Sequence, residues 1–394
     1  MAALPTTARP APAIRQPFPP RPTPGAVCAT PPASASTASS YNRFLPFFGT
    51  PMNADWNTFL ASRGARVTEQ QVTDFGNPAA ELQALANGSI MADLSHLSLL
   101  QVEGADAVNF LQGQFTNDIK LLEGGYNQYT GYCTAKGRLL AIFLAFAREQ
   151  SLYLQLNGAL AATVTKRLKM YVLRSRVVIS DISDDTVRIG VAGARAEAAL
   201  QELFGSLPAQ PHEVLALAQA TVLRLPGTVP SFQLLAAPDA APAWWDALSD
   251  TCQPVGRAGW EWLQIRAGIP DITPATQEAF VPQMVNLDLL GGINFKKGCY
   301  TGQEIVARTH YLGKVKRRTL LAHVLTPQAP SPGDPVYGVD STEPVGLVAN
   351  VAASPQGGYD VLAEVRLESL EAGGIRLSGA DGPILVFSTL PYAV

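Results

Sequence analysis

Nine residues, KKGCYTGQE at 296–304, hold the one cysteine of this chain with a chemical setting. Cys299 follows two lysines and a glycine and precedes the start of an expected helix. Thr301-Gly302-Gln303-Glu304 fits a capping box, with Thr301 as N-cap and Glu304 reaching back. A thiol two residues before such a cap lies where helix amides and the macrodipole favour negative charge. Lys296 and Lys297 add cations. Both influences act to lower a thiol pKa from about 8.5 toward neutrality, making a thiolate available as nucleophile or metal ligand. The plain alternative is a half-buried cysteine in a loop. Lys297 reads as pKa partner or as anchor for a ligand carboxylate, Tyr300 as core or as a cover over the thiol. Gln303 reads as a ligand contact or a solvated polar residue, and Glu304 as the capping acid.

The elements that must position this segment follow from hydrophobic periodicity. Trp56, Phe59 and Leu60 share a helical face, and residues 89–102 read as strands. Val108, Leu111 and Phe115 have helical spacing, and 125–156 alternates turns with apolar runs as a β-meander does. Residues 158–174 form the next helix, and APAWWDALSD and GWEWLQIRAG two more. Strands and helices without a βαβ rhythm indicate an α+β fold. Beyond residue 314, short apolar runs punctuated by Gly, Pro and Asp predict a small β-barrel. The expected boundaries are a tail over 1–51, an α+β region over 52–314 and a barrel domain over 315–394.

Composition limits function. Charged residues are only 15% and the net charge is −3, so no global field steers the chain to nucleic acid or membrane. From 296 to 318, however, seven Lys/Arg face a single acid. That cluster suits a polyglutamate tail, an acidic protein patch or plain solvation. No aromatic platform accompanies it, so direct tRNA contact is not expected. The four cysteines are scattered without zinc-type spacing, so no metal site is expected and a reducing compartment fits. His310 and His323 have no ligand spacing to any cysteine. The first 51 residues hold four arginines, no lysine and no acid. They read as disordered, as a transit peptide with a mitochondrial destination, or as sequence upstream of a true start at Met52. The last is favoured, with a cytoplasmic protein behind it.

GGINFKKGCYTGQEIVAR resembles the signature of the YgfZ family of folate-binding proteins, whose hallmark is K-G-C-Y-x-G-Q-E. VEGADAVNFLQGQFTNDI, CTAKGR, the RAGIP turn and FVPQMVNLDLLGGI match in order, so the resemblance spans about residues 90–394. It implies the fold of the glycine-cleavage T-protein, an aminomethyltransferase. That enzyme's paired aspartates correspond to Ala141 and Ile142 here, and its GYTGE segment to TVLRLPGTVPSFQLL. Without those carboxylates the parent reaction lacks its acid/base group. An enzyme of that kind is therefore not expected.

The resemblance further implies a tetrahydrofolate-binding protein that serves iron–sulfur cluster assembly or repair in client proteins; a monomer is expected. A radical enzyme that methylthiolates tRNA is one such client, and a transient iron–sulfur cluster is an implied cargo. Cys299 and Lys297 are the implied reactive pair. Trp260 stands at a folate-contacting tryptophan, while Leu97 replaces a second aromatic of some relatives. Tyr300, Gln303 and Arg138 complete the candidate folate contacts. Asn117 and Asp118 read as turn-formers or site residues, and Cys133 as a core residue.

Overall fold

The computed structural model describes residues 52–339 and 341–394. The expectations for 1–51 lie outside the described residues. Two antiparallel-rich sheets carry the first part of the fold. One has five strands, in the spatial order Asn127–Cys133, Leu139–Arg148, Ser151–Asn157, Leu97–Glu103 and Val178–Asp181. The other has six, in the order Val214–Ala216, Ala220–Leu225, Ser231–Ala236, Val187–Ala192, Ile90–Asp93 and Gln253–Val255. Only the last pair, Gln253–Val255 with Ile90–Asp93, is parallel in this second sheet. The expected meander is therefore the 127–157 portion of the first sheet.

Burial follows the apolar runs. Leu139–Phe146 is buried on both faces, as its near-continuous hydrophobic sequence requires. Helix Gly158–Val172 closes over this sheet with Leu160, Val164 and Leu168 inward, the spacing read from the sequence. A separate core forms around Trp56, Leu60 and Trp245, where the indole of Trp56 meets Trp245 edge-on at 5.5 Å.

The C-terminal sheet runs Arg376–Leu377, Pro335–Tyr337, Pro344–Ala353, Tyr359–Arg366, Arg317–Val324, Val386–Ser388. Its two edges approach one another through a bridge between Arg376 and Ile384, just before the last strand. The sheet is thus curled and nearly closed, a half-barrel where sequence suggested a barrel. Helix Arg257–Arg266 packs between it and the second sheet, contacting Pro344–Ala353 on one side and Ile90–Asp93 on the other. Trp262 donates from Nε1 to Asp360 Oδ2 at 2.7 Å, tying that helix to the half-barrel. No helix among the described residues is long and apolar enough to cross a membrane.

Candidate functional site

The structure separates the candidate residues into two places. Trp260 lines a cavity of about 320 Å³. Cys299, Lys297, Tyr300, Gln303 and Arg138 are not part of its wall.

Around Cys299, the motifs that looked chemical turn out to be largely a hydrogen-bonded frame. Lys297 is 9% exposed, and its Nζ donates to the carbonyls of Gln112 at 2.8 Å, Phe115 at 2.6 Å and Asn117 at 2.8 Å. Those carbonyls lie at and just beyond the end of helix Ala107–Gln112, where main-chain acceptors lack helical donors. Burial lowers the Lys297 pKa to about 8, opposed by Asp118. The ammonium also sits 5.1 Å from the Tyr300 ring centre. Lys297 therefore anchors the cysteine loop from beneath, a role that adjacency in sequence does not suggest. Asn117 donates to Tyr129 O and Gly291 O, and Thr116 to Gly292 O, tying the end of VEGADAVNFLQGQFTNDI to strand Asn127–Cys133 and to the Gly291-Gly292 turn. Asp118 accepts from Lys120 N and from Gln112 Nε2. Arg138 donates from Nη1 to Ala279 O at 2.6 Å.

The expected capping box is not formed. Helix Gln303–Tyr311 starts after Gly302, which has φ of 85°, and no side chain caps it. A Cβ at Gly302 would lie 2.4 Å from Thr134 O and 3.0 Å from Gly137 Cα. The cause is close packing: the helix entry is pressed onto the CTAKGR turn, and only glycine fits there. Thr301 and Glu304 are left beside this contact without capping bonds.

Above the frame Cys299 is exposed, whereas Cys133 and Cys252 are buried. Burial pushes the Cys133 thiol up to about 12 and the Cys252 thiol to about 11, so both are inert at neutral pH. Tyr300 is 8% exposed and belongs to the loop's underside, its phenol pushed up chiefly by burial. Gln303, at the first helical position, is half-buried. His310 stacks on Phe295 at 3.7 Å, and His323 pairs with Asp360 at 2.7 Å. Among the described residues no group of three or more His, Cys, Asp or Glu is placed to share a metal ion.

The cavity lies among both first sheets, helix Arg257–Arg266 and strand Pro344–Ala353. Trp260 is 2% exposed, with one face pressed against Gly190, where a Cβ would come within 2.6 Å of the indole. It is core on that face and cavity wall on the other. Ile142, standing where the resemblance puts a catalytic acid, and Leu97 also line the space. The polar groups there were not singled out from sequence. Gln155 and Gln233 are 5% and 3% exposed, and the Oε1 atom of each has no hydrogen-bond partner in the protein. Buried polar atoms of this kind ordinarily have a partner, so a ligand or water is called for. Arg257 donates from Nε to Glu261 Oε1 at 2.6 Å and also bonds Gln71. Burial raises Glu261, with Arg257 opposing, and holds His96 well below the usual imidazole range. Asp271 accepts from Asn157 Nδ2 at 2.6 Å, and burial raises its pKa to about 6. The alternation of polar and apolar residues in LYLQLN could have pointed to Gln155; one acid after a Gly-Ile-Pro turn gives no such signal for Asp271.

An apolar cavity with an indole wall, enclosed by this arrangement of sheets and half-barrel, defines a T-protein-like α+β protein. The family described as the GCVT N-terminal domain matches residues 43–290. The crystal structure of the glycine cleavage system aminomethyltransferase T from Bartonella henselae shares the fold, with a TM-score of 0.66 at 18% identity over 86% of this chain and 96% of that one. Within that class the chain belongs to the YgfZ family. It is 37% identical over 227 residues to the tRNA-modifying protein YgfZ of Yersinia pseudotuberculosis, spanning 58% of this chain and 68% of that protein. The tRNA-modifying protein YgfZ of Yersinia enterocolitica is 34% identical over 244 residues, spanning 62% and 74%.

Proposed function

We propose that this chain is a tetrahydrofolate-binding accessory protein that supports assembly or repair of iron–sulfur clusters in client enzymes. A radical tRNA methylthiotransferase is the kind of client meant, and the cytoplasm the place. The observation that carries the reading is the cavity. Its volume of about 320 Å³ falls within the range of small-molecule sites. Trp260 offers a flat apolar face for a pterin or aminobenzoyl ring, and the amides of Gln155 and Gln233 offer polar atoms without protein partners. These residues fit the group.

Cys299 is the proposed reactive thiol, carried on the exposed loop away from the cavity. Because no preformed ligand set surrounds it among the described residues, a cluster or sulfur atom held there is cargo shared with the client. Lys296, Arg308, Lys314 and Lys316 are exposed around this segment and suit an acidic partner surface. The alternative, a folate-dependent one-carbon transferase, draws support from Asp271, a near-neutral carboxyl in the cavity.

Titration with tetrahydrofolate under anaerobic conditions, followed by tryptophan fluorescence, tests the binding. Quenching is expected in the wild type. Stacking contributes about 0.5–1.5 kcal/mol beyond area burial, so Trp260→Ala should bind several-fold more weakly at least. Equal affinity in a folded Trp260→Ala protein removes this residue from the site.

A further inference from the structure

The cavity contains a carboxylate that the protein itself leaves short of partners. The main chain of Asp271 is tied to the half-barrel. Its N–H donates to Asn350 Oδ1 at 3.1 Å, and its carbonyl accepts from Asn350 Nδ2 at 3.1 Å. Strand Pro344–Ala353 of the half-barrel thereby fixes the turn after Pro270 and presents the carboxyl at the cavity wall. The carboxyl accepts one side-chain hydrogen bond, from Asn157, and one main-chain bond, from Ile272, and forms no ion pair among the described residues. The arginine of the wall, Arg257, is engaged by Glu261 and Gln71. His96 is held neutral by burial and by the nearby Arg257 and Arg188 charges. A half-buried carboxylate with no ion pair and two protein donors keeps acceptor capacity for a ligand.

We infer that Asp271 is the specificity-determining acid of the cavity, its carboxylate taking the N–H-donor edge of a flat, nitrogen-rich ring whose face lies on Trp260. The inference rests on the reading of the cavity as a folate site, and assigns to the turn after Pro270 the acidic contact that Ala141 and Ile142 cannot supply. The ligand class is a ring with adjacent N–H donors, as in a 2-amino-4-oxopyrimidine. The Gln155 and Gln233 amides can serve either donors or acceptors and do not orient such a ring. Asp271, when ionised, only accepts, and so sets which edge faces it.

Binding should then depend on pH. The other ionisable groups on the wall are Arg257 and Glu261 from the Trp260 helix, His96 from the turn before Leu97, and Tyr129 from the first sheet. His96 is held neutral, and burial pushes the Tyr129 phenol up, so neither changes charge between pH 5 and 7. Glu261 lies close enough to raise Asp271 by like charge, so Asp271→Asn removes that coupling together with the carboxylate. With a carboxyl that titrates at about 6, the ionised fraction rises about tenfold between pH 5 and 7.

The experiment is a tetrahydrofolate titration of wild type and Asp271→Asn at pH 5, 6, 7 and 8, read by tryptophan fluorescence. Wild-type affinity is expected to rise about tenfold from pH 5 to 7. Asp271→Asn should be at least about tenfold weaker at pH 7, with that rise removed. Wild-type affinity and an unchanged pH profile in Asp271→Asn would overturn the inference while leaving the folate reading intact. No quenching of either protein at any pH would remove the folate reading and this inference with it. Should Asp271→Asn not fold, calorimetry of the wild type at pH 6 in two buffers of different ionisation heat decides the matter. A net release of about half a proton per folate is expected from a group half ionised there; zero release or uptake overturns the inference.

Discussion

Lys297 is a buried charged side chain and Asp271 a half-buried one, with opposite consequences. Lys297 is compensated by three carbonyls, and replacing it leaves them without a donor. Lys297→Met should lower stability by about 2–3 kcal/mol, the cost of unsatisfied buried acceptors, as measured by urea unfolding. A change within about 0.5 kcal/mol would show that water reaches those carbonyls. Asp271 is undercompensated in the free protein. Its folded pKa of about 6 lies above the ordinary 3.8, so the folded state binds more protons than the unfolded. The stability it contributes is present below about pH 4 and is lost as pH rises through about 6. Asp271→Asn should therefore be more stable than wild type by about 1–3 kcal/mol at pH 7 without ligand, and the gain should disappear near pH 3.5. A constant difference across that window would show that the carboxyl is not raised. Neither role is legible in the sequence. Spacing placed Lys297 beside Cys299, but which way a long side chain turns is decided by acceptors some 180 residues away along the chain.

At the scale of elements the sequence was far more informative, because periodicity is set by local geometry. Helices Gly158–Val172, Ala241–Ser249 and Arg257–Arg266 and the 127–157 meander were all readable. The entry to helix Gln303–Tyr311 was misread for a definable reason. T-G-Q-E satisfies a capping pattern, yet the contact of Gly302 with the Thr134–Gly137 turn demands a left-handed residue at that point. The capping pattern predicts a loss of about 1 kcal/mol for Thr301→Ala; the structure predicts under about 0.5 kcal/mol for it and for Glu304→Ala. Gly302→Ala should instead cost about 2–3 kcal/mol, from backbone strain and collision with Thr134 O. Thermal or denaturant melts of the three variants order them directly. A Thr301→Ala loss matching that of Gly302→Ala would restore the capping box. The closing barrel was also partly readable, since its short runs announced strands; the meeting of Arg376 with Ile384 depends on pairing that no local signal encodes.

The whole molecule sets the Cys299 loop and the cavity apart and connects them by one strand. Leu139–Arg148 begins beside the turn that abuts Gly302 and carries Ile142 and Leu144 to the cavity. At roughly 3.4 Å per residue, five residues of extended chain from Gly137 to Ile142 put the two regions on the order of 15 Å apart. Cys299 lies on an exposed loop outside the cavity wall, and the stability of that loop comes from Lys297, Asn117 and the glycine contact, none of which involves the thiol. Cys299→Ser removes a soft, oxidisable ligand from a solvated position and little else. Folding free energy should change by less than about 0.5 kcal/mol, and tetrahydrofolate affinity should equal that of the wild type. In a deletion strain, by contrast, the variant should fail to restore iron–sulfur enzyme activity and tRNA methylthiolation, while Asp271→Asn should fail in proportion to its lost folate binding. Full complementation by Cys299→Ser would assign the thiol no part in the function, and a matching loss of folate affinity would mean that the loop and the cavity act as one site.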